Sequence, residues 1–220
     1  MNWHEVTAVF GGTFDPPHLG HREAIAGLFK NPGVSRALVI PSFIPPQKPQ
    51  AVGSDHRVAM AKLCFSSLSE VTVDTREIER GKGTAQPSYT FDTLQELKKD
   101  YSKLAFVLGS DQLQNLPTWH RFPEILGLCH WIVLARRPDG DRQALKTLAE
   151  WQAGGLVKQT NLLWKTPAGT TIGVFETPAR HVSSRNIREN LALGRPEDDL
   201  AAEVKAYLME HRIYGTRSAK

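Results

Sequence analysis

The chain has 220 residues, 40% of them hydrophobic and 23% charged, with a formal net charge of +4 at neutral pH. That length suits one α/β domain with a proper core, and the mild, scattered positive charge fits anionic partners without the basic stripe that a nucleic-acid binder needs. Two unframed cysteines, no signal-peptide layout and no apolar run near the ~20 residues of a membrane span argue against secreted and membrane classes, so the cytoplasm is the expected compartment.

In chain order, short β-rich runs alternate with helical patterns. Strands are expected at 5–11, 37–40, 71–73, 104–108, 131–135 and 171–175, and helices at about 18–30, 54–68, 88–100 and 141–153. Most of the strands are near-continuously apolar, as parallel strands covered on both faces are. Ser54 and Ser88 are expected N-caps. A helix over 199–211 with Leu200, Val204 and Leu208 on one stripe closes the chain. This alternation predicts a Rossmann-like, doubly wound, mostly parallel sheet with helices on both faces, whose ligand crevice lies at the carboxyl ends of the strands. The expected organisation is one domain over 1–220, with a core to about 180 and a small helical part over about 181–220. The stretch 139–170 carries the least information.

The first chemical segment is Gly11-Gly12-Thr13-Phe14-Asp15-Pro16-Pro17-His18-Leu19-Gly20-His21, a strand, a glycine turn and a helix start. Glycines let backbone N–H groups approach an anion, and the helix start aims further N–H groups and its positive dipole end at the same point. His18 and His21, three apart, would project from one helix face. Gly-Gly after a strand is often only a turn, and His-x-x-His is half a zinc site, but no second His/Cys pair stands at metal-ligand spacing, so no protein-held metal is expected.

After the second strand comes Pro41-Ser42-Phe43-Ile44-Pro45-Pro46-Gln47-Lys48-Pro49, a proline-stiffened loop that would hold Lys48 as a cation near the ligand end of the sheet. Most loop lysines simply face water. Tyr89 and Thr90 follow Ser88 at a helix start, where capping or packing is the commoner duty of such residues. Gly109-Ser110-Asp111 ends the fourth strand. Asp111 suits a ribose hydroxyl pair or a helix N-cap, while Trp119 suits stacking on a pyridine or packing on the sheet. Arg136-Arg137-Pro138 ends the fifth strand without showing which arginine points inward. Finally, Ser183 is a natural N-cap, and Ser184 and Arg188 lie one turn apart, so a hydroxyl and a guanidinium could grip one phosphate.

Taken together, these segments resemble the nucleotidyltransferase superfamily marked by His-x-Gly-His. The Gly-Gly-Thr-Phe-Asp-Pro-Pro-His form is similar to the bacterial nicotinate-mononucleotide adenylyltransferases. Gly109-x-Asp111 through Trp119, Ser88-Tyr89-Thr90-x-Asp92-Thr93-Leu94, Arg136-Arg137-Pro138 and Ser183-Ser184-x-x-Ile187-Arg188 match further patterns of that family. Two positions depart from it: Gln47 stands where a histidine is usual and Arg185 where a threonine is usual. The resemblance implies adenylyl transfer from ATP to nicotinate mononucleotide, giving deamido-NAD and pyrophosphate, with Mg²⁺ carried on the phosphates. It implies catalytic roles for His18, His21, Lys48 and Arg188. ATP would meet Gly11, Gly12, Thr13, Phe14, His18, Gly20, His21, Gly109, Asp111, Ser183, Ser184 and Arg188, and the mononucleotide would meet Asp15, Lys48, Tyr89, Thr90, Trp119 and Arg136. Related acceptors, nicotinamide mononucleotide among them, and a non-catalytic nucleotide-binding regulator of the same fold are the other readings. Oligomeric state is left open.

Overall fold

A computed structural model describes residues 1–45, 51–84, 86–136, 140–177, 180 and 182–216, with only the backbone of Arg136. Lys48 and Gln47 lie outside the described residues. Five parallel strands form the centre, β1 (Thr7–Gly12), β2 (Arg36–Pro41), β3 (Val71–Val73), β4 (Leu104–Gly109) and β5 (His130–Arg136). An antiparallel hairpin, β6 (Val157–Lys158) and β7 (Leu163–Lys165), joins the sheet through β8 (Thr171–Thr177), which itself runs parallel to β5. The order β3-β2-β1-β4-β5-β8-β7-β6 reverses its winding between β1 and β4, where a crevice opens at the strand ends.

Helices cover both faces, each contributing an apolar stripe. On one side, α1 (Leu19–Lys30), α2 (Ser54–Phe65), α7 (Ser184–Ala192) and α8 (Ala202–Glu210) bury Ile25, Leu28, Met60, Phe65, Ile187, Val204 and Leu208. On the other, α4 (Thr90–Asp100), α5 (Ser110–Asn115) and α6 (Gly140–Glu150) bury Leu94, Leu97, Leu113, Ala144 and Leu148. The doubly wound expectation is met.

Several local expectations change. The first strand starts at Thr7, because Trp3–Glu5 form a 3-10 turn. Ser54 is the first residue of α2, not its cap, and Gly53 makes no side-chain cap bond. Ser88 does not cap α4 either: its hydroxyl accepts the Phe43 N–H at 3.2 Å, tying the helix start to the loop after β2. A six-residue helix, α3 (Arg76–Gly81), and the β6–β7 hairpin are additions, both too short for periodicity to show.

Candidate active site

The crevice at the winding reversal is a cleft of about 420 Å³, lined by Val9–Asp15 from β1 and its turn and by Phe106–Gly109 with Asp111 and Gln112 from β4 and α5. Its lining mixes two chemistries: His21, Ser184 and Thr90 supply polar groups, and Tyr89, Trp119 and His120 supply flat rings. Polar groups beside rings are what an anionic, ring-bearing ligand requires.

His18 is the N-cap of α1, and its Nδ1 accepts the His21 N–H at 3.3 Å. His21 Nδ1 accepts the His18 N–H in return, also at 3.3 Å. With both Nδ1 atoms accepting, the neutral rings carry their protons on Nε2. The two rings stack with centroids 3.6 Å apart, so the imidazoles form one unit. Only His21 is among the lining residues, and His18 stands behind it, 3% exposed. The α1 start is therefore less open than the sequence implies. Leu19 gives its N–H to the Asp199 carbonyl and His21 gives its own to His18, so two of the three first-turn donors, those of Leu19, Gly20 and His21, are taken. What this turn presents to the cleft is the His21 imidazole.

Phe14 holds the unit from the far side, its ring 5.3 Å from His21 in an edge contact. Its backbone is left-handed at φ 53°, a conformation that costs a non-glycine residue about 1 to 3 kcal/mol. Gly20 is where the turn meets the segment before α7. A Cβ there would lie 3.1 Å from the Arg180 carbonyl oxygen and 3.1 Å from His18 Nδ1. At the opposite strand end, the Asp111 carboxylate folds back over Gly109, so close that an added Cβ would sit 2.4 Å from Oδ1. Asp111 lies in the first turn of α5, whose N-cap is Gly109.

Ser184 and Arg188 meet the turn together, as their spacing predicts. Ser184 Oγ donates to the Pro16 carbonyl at 2.9 Å and Arg188 Nη1 donates to the Asp15 carbonyl at 2.6 Å. Ser183 caps α7, its hydroxyl accepting the Arg185 N–H at 3.2 Å. Arg180 fastens the preceding segment to α1 through Glu23 at 2.8 Å and to Asp199 at 3.0 Å. Arg188 is one-third exposed and, like Gly20 and Ser183, is not a lining residue. Asp15 is a lining residue, yet its carboxylate accepts two protein hydrogen bonds, from the Val52 N–H at 3.2 Å and the Tyr214 hydroxyl at 2.5 Å, and ion-pairs with Arg188 at 3.4 Å.

Among the lining rings, Trp119 meets Phe106 edge-on at 5.8 Å, and Tyr89 stacks on His120 at 4.5 Å. Behind them, Glu77 of α3 is buried in the cleft wall and accepts the Thr93 hydroxyl at 2.6 Å. Burial pushes its carboxyl above the ordinary value, against the hydrogen bond from Thr93 and the charge of Arg80.

Three residues of this architecture escape the sequence reading: Arg57, Glu77 and Tyr214. Arg57, 1% exposed, donates from Nε to Val52 O at 2.8 Å, from Nη1 to Thr13 O at 2.9 Å and from Nη2 to Phe43 O at 2.7 Å. One guanidinium thus pins the glycine turn to both stems of the proline-rich loop. The available signal is that position 57 falls on the buried stripe of α2 with Met60, Ala61 and Cys64.

Residues 9–190 match the cytidylyltransferase-like family profile. A Pectobacterium atrosepticum protein named "Probable nicotinate-nucleotide adenylyltransferase" is 37% identical over 217 residues, covering 95% of this chain and 98% of the relative. A Serratia proteamaculans protein of the same name is 34% identical over 212 residues, covering 94% of each. In fold, the chain is similar to Plasmodium falciparum nicotinic acid mononucleotide adenylyltransferase complexed with NaAD, at a TM-score of 0.73 and 16% identity, covering 98% of this chain and 100% of that one. With the profile spanning most of the sequence and full-length relatives above 30% identity, the chain belongs to the cytidylyltransferase-like family, in its nicotinate-nucleotide adenylyltransferase branch.

Proposed function

We propose that this protein transfers the adenylyl group of ATP to nicotinate mononucleotide, giving deamido-NAD and pyrophosphate. One observation carries the reading: the cleft at the winding reversal is lined by the His21 imidazole and Ser184 together with the rings of Tyr89, Trp119 and His120. Membership of the family, with relatives named for this reaction, supports the same assignment.

In this reaction a phosphate oxygen of the mononucleotide attacks the α-phosphorus of ATP, and the bond to the β-phosphate breaks. The attacking group is already an anion, so the protein has only to position both substrates and stabilise charge. His21 offers its Nε2–H to the phosphates from within the cleft, and His18 is the second donor, reached through its Nε2 edge. Arg188, with Lys48, offsets charge on the departing pyrophosphate. Gly11, Gly12, Thr13, Phe14, Gly20, Gly109, Ser183 and Ser184 shape the ATP side, and Asp111 at the end of β4 receives the ribose hydroxyls. Tyr89, Thr90, Trp119 and Arg136 are assigned to the mononucleotide. Asp15, its carboxylate already accepting two hydrogen bonds and paired with Arg188, acts by holding the turn. Mg²⁺ enters with ATP as part of the substrate, since that same commitment leaves Asp15 a poor ligand.

No described helix is long and apolar enough to cross a membrane. Cys64 and Cys129 are both buried free thiols, which supports a reducing, cytoplasmic setting. The test is pyrophosphate release by purified protein with ATP, Mg²⁺ and either nicotinate or nicotinamide mononucleotide. Faster turnover of the acid is expected. Equal rates would make this a dual-specificity enzyme, and no release with either would remove the assignment.

A further inference from the structure

We propose that Tyr214, in the segment after the last helix, is a positioning residue that sets the direction of the Arg188 guanidinium by fixing the rotation of the Asp15 carboxylate. This rests on the adenylyl-transfer reading above. Both donors to Asp15 Oδ1, the Tyr214 hydroxyl at 2.5 Å and the Val52 N–H at 3.2 Å, approach the same oxygen. With Oδ1 pinned twice, Oδ2 is directed at Arg188, 3.4 Å away. The same nitrogen, Nη1, also donates to the Asp15 carbonyl at 2.6 Å, so one corner of the guanidinium is held between the carbonyl and the carboxylate of a single residue.

The surroundings are built for this contact. Tyr214 adopts a left-handed backbone at φ 58° and ψ 28°, which its side chain must repay. Its ring packs against the core formed by α1, α2, α7 and α8. Burial and the bond to Asp15 push its phenol far above the ordinary tyrosine value, so it remains a donor at every working pH. Without that donor, Oδ1 keeps only the longer Val52 bond at 3.2 Å, and the carboxylate turns more easily to pair side-on with Arg188, drawing the guanidinium back from the phosphates.

The experiment is a two-by-two kinetic comparison of wild type, Tyr214→Phe, Arg188→Lys and the double variant, with melting temperatures for all four. Tyr214→Phe keeps the ring, so its melting temperature should fall by only a few degrees. Its kcat should fall about tenfold with little change in KM for the mononucleotide, the signature of misplaced rather than missing contacts. In the Arg188→Lys background the same change should cost less than about twofold, because both act through one guanidinium. Wild-type kcat in Tyr214→Phe, or an equal loss in both backgrounds, would overturn the inference. If Tyr214→Phe melts too low to assay, Asp15→Asn replaces it, and a full loss that persists in the Arg188→Lys background overturns the inference equally. A wild-type protein that releases no pyrophosphate would fail the functional reading instead.

Discussion

Arg188 donates to the carbonyl oxygen of Asp15 at 2.6 Å, across 173 residues of sequence. Ser184, one helical turn earlier, donates to the next carbonyl, that of Pro16. The start of α7 and the glycine turn are thereby tied together, with the guanidinium held against the turn that precedes the stacked imidazoles. Arg188→Ala removes both the charge and the tie. We expect kcat to fall about 10²-fold, the usual cost of one transition-state donor, as measured by pyrophosphate release at saturating substrates.

His18 has two duties that a substitution can separate. An asparagine retains a side-chain acceptor for the His21 N–H but has nothing at the Nε2 position. His18→Asn should therefore melt near wild type while kcat drops about 10²-fold or more. His18→Ala should lose the cap as well, at a further cost of about 1 kcal/mol. Unchanged turnover in the asparagine variant would reduce His18 to a scaffold for His21.

Gly20→Ala tests the close approach between the two signature segments. Its methyl would press on the Arg180 carbonyl oxygen and on the His18 ring, each 3.1 Å away. Overpacking of this kind costs about 1 to 3 kcal/mol, and here it also shifts the imidazole. Denaturant unfolding should show the loss together with reduced kcat.

Arg57→Met leaves the carbonyls of Thr13, Phe43 and Val52 without their donor, at a cost of about 3 kcal/mol if each orphaned group costs about 1. Lysine keeps the charge but cannot reach three divergent acceptors, so Arg57→Lys should recover only part of that stability in urea unfolding.

Glu77 makes stability depend on pH. Its folded carboxyl titrates above the ordinary value of 4.5. The unfolded chain therefore releases this proton first, and the contribution of Glu77, complete below 4.5, is lost as pH rises through the folded value. Glu77→Gln mimics the protonated form and keeps the Thr93 bond, so its melting temperature relative to wild type should climb between pH 4.5 and 8. Glu23 carries the opposite sign: burial alone would raise it, but the hydrogen bonds and charge of Arg180 hold it below its ordinary value. That contribution is lost as pH falls below 4.5.

The sheet was legible because its strands are apolar on both faces and its turns carry glycine or proline, all local signals. Leu200, Val204 and Leu208 are all buried as their spacing implies, but α8 starts at Ala202 rather than 199, so Leu200 packs from the segment before the helix instead of from its stripe. Spacing alone also placed Ser184 and Arg188 on one face. The N-caps at Ser54 and Ser88 misled because a serine before a helix advertises capping whether or not a distant N–H, here that of Phe43, claims its oxygen first. Arg57, Glu77 and Tyr214 were silent for a related reason. Each is an ordinary polar residue locally, and its role is created by groups that arrive from elsewhere in the chain.

The hydroxyl of Tyr214 meets Asp15 across 199 positions. During synthesis the carboxylate in the glycine turn therefore waits for a donor translated 199 residues after it. A nascent chain that has completed all eight described strands still lacks this bond, so the setting of Asp15 is a late event rather than one that grows with the sheet.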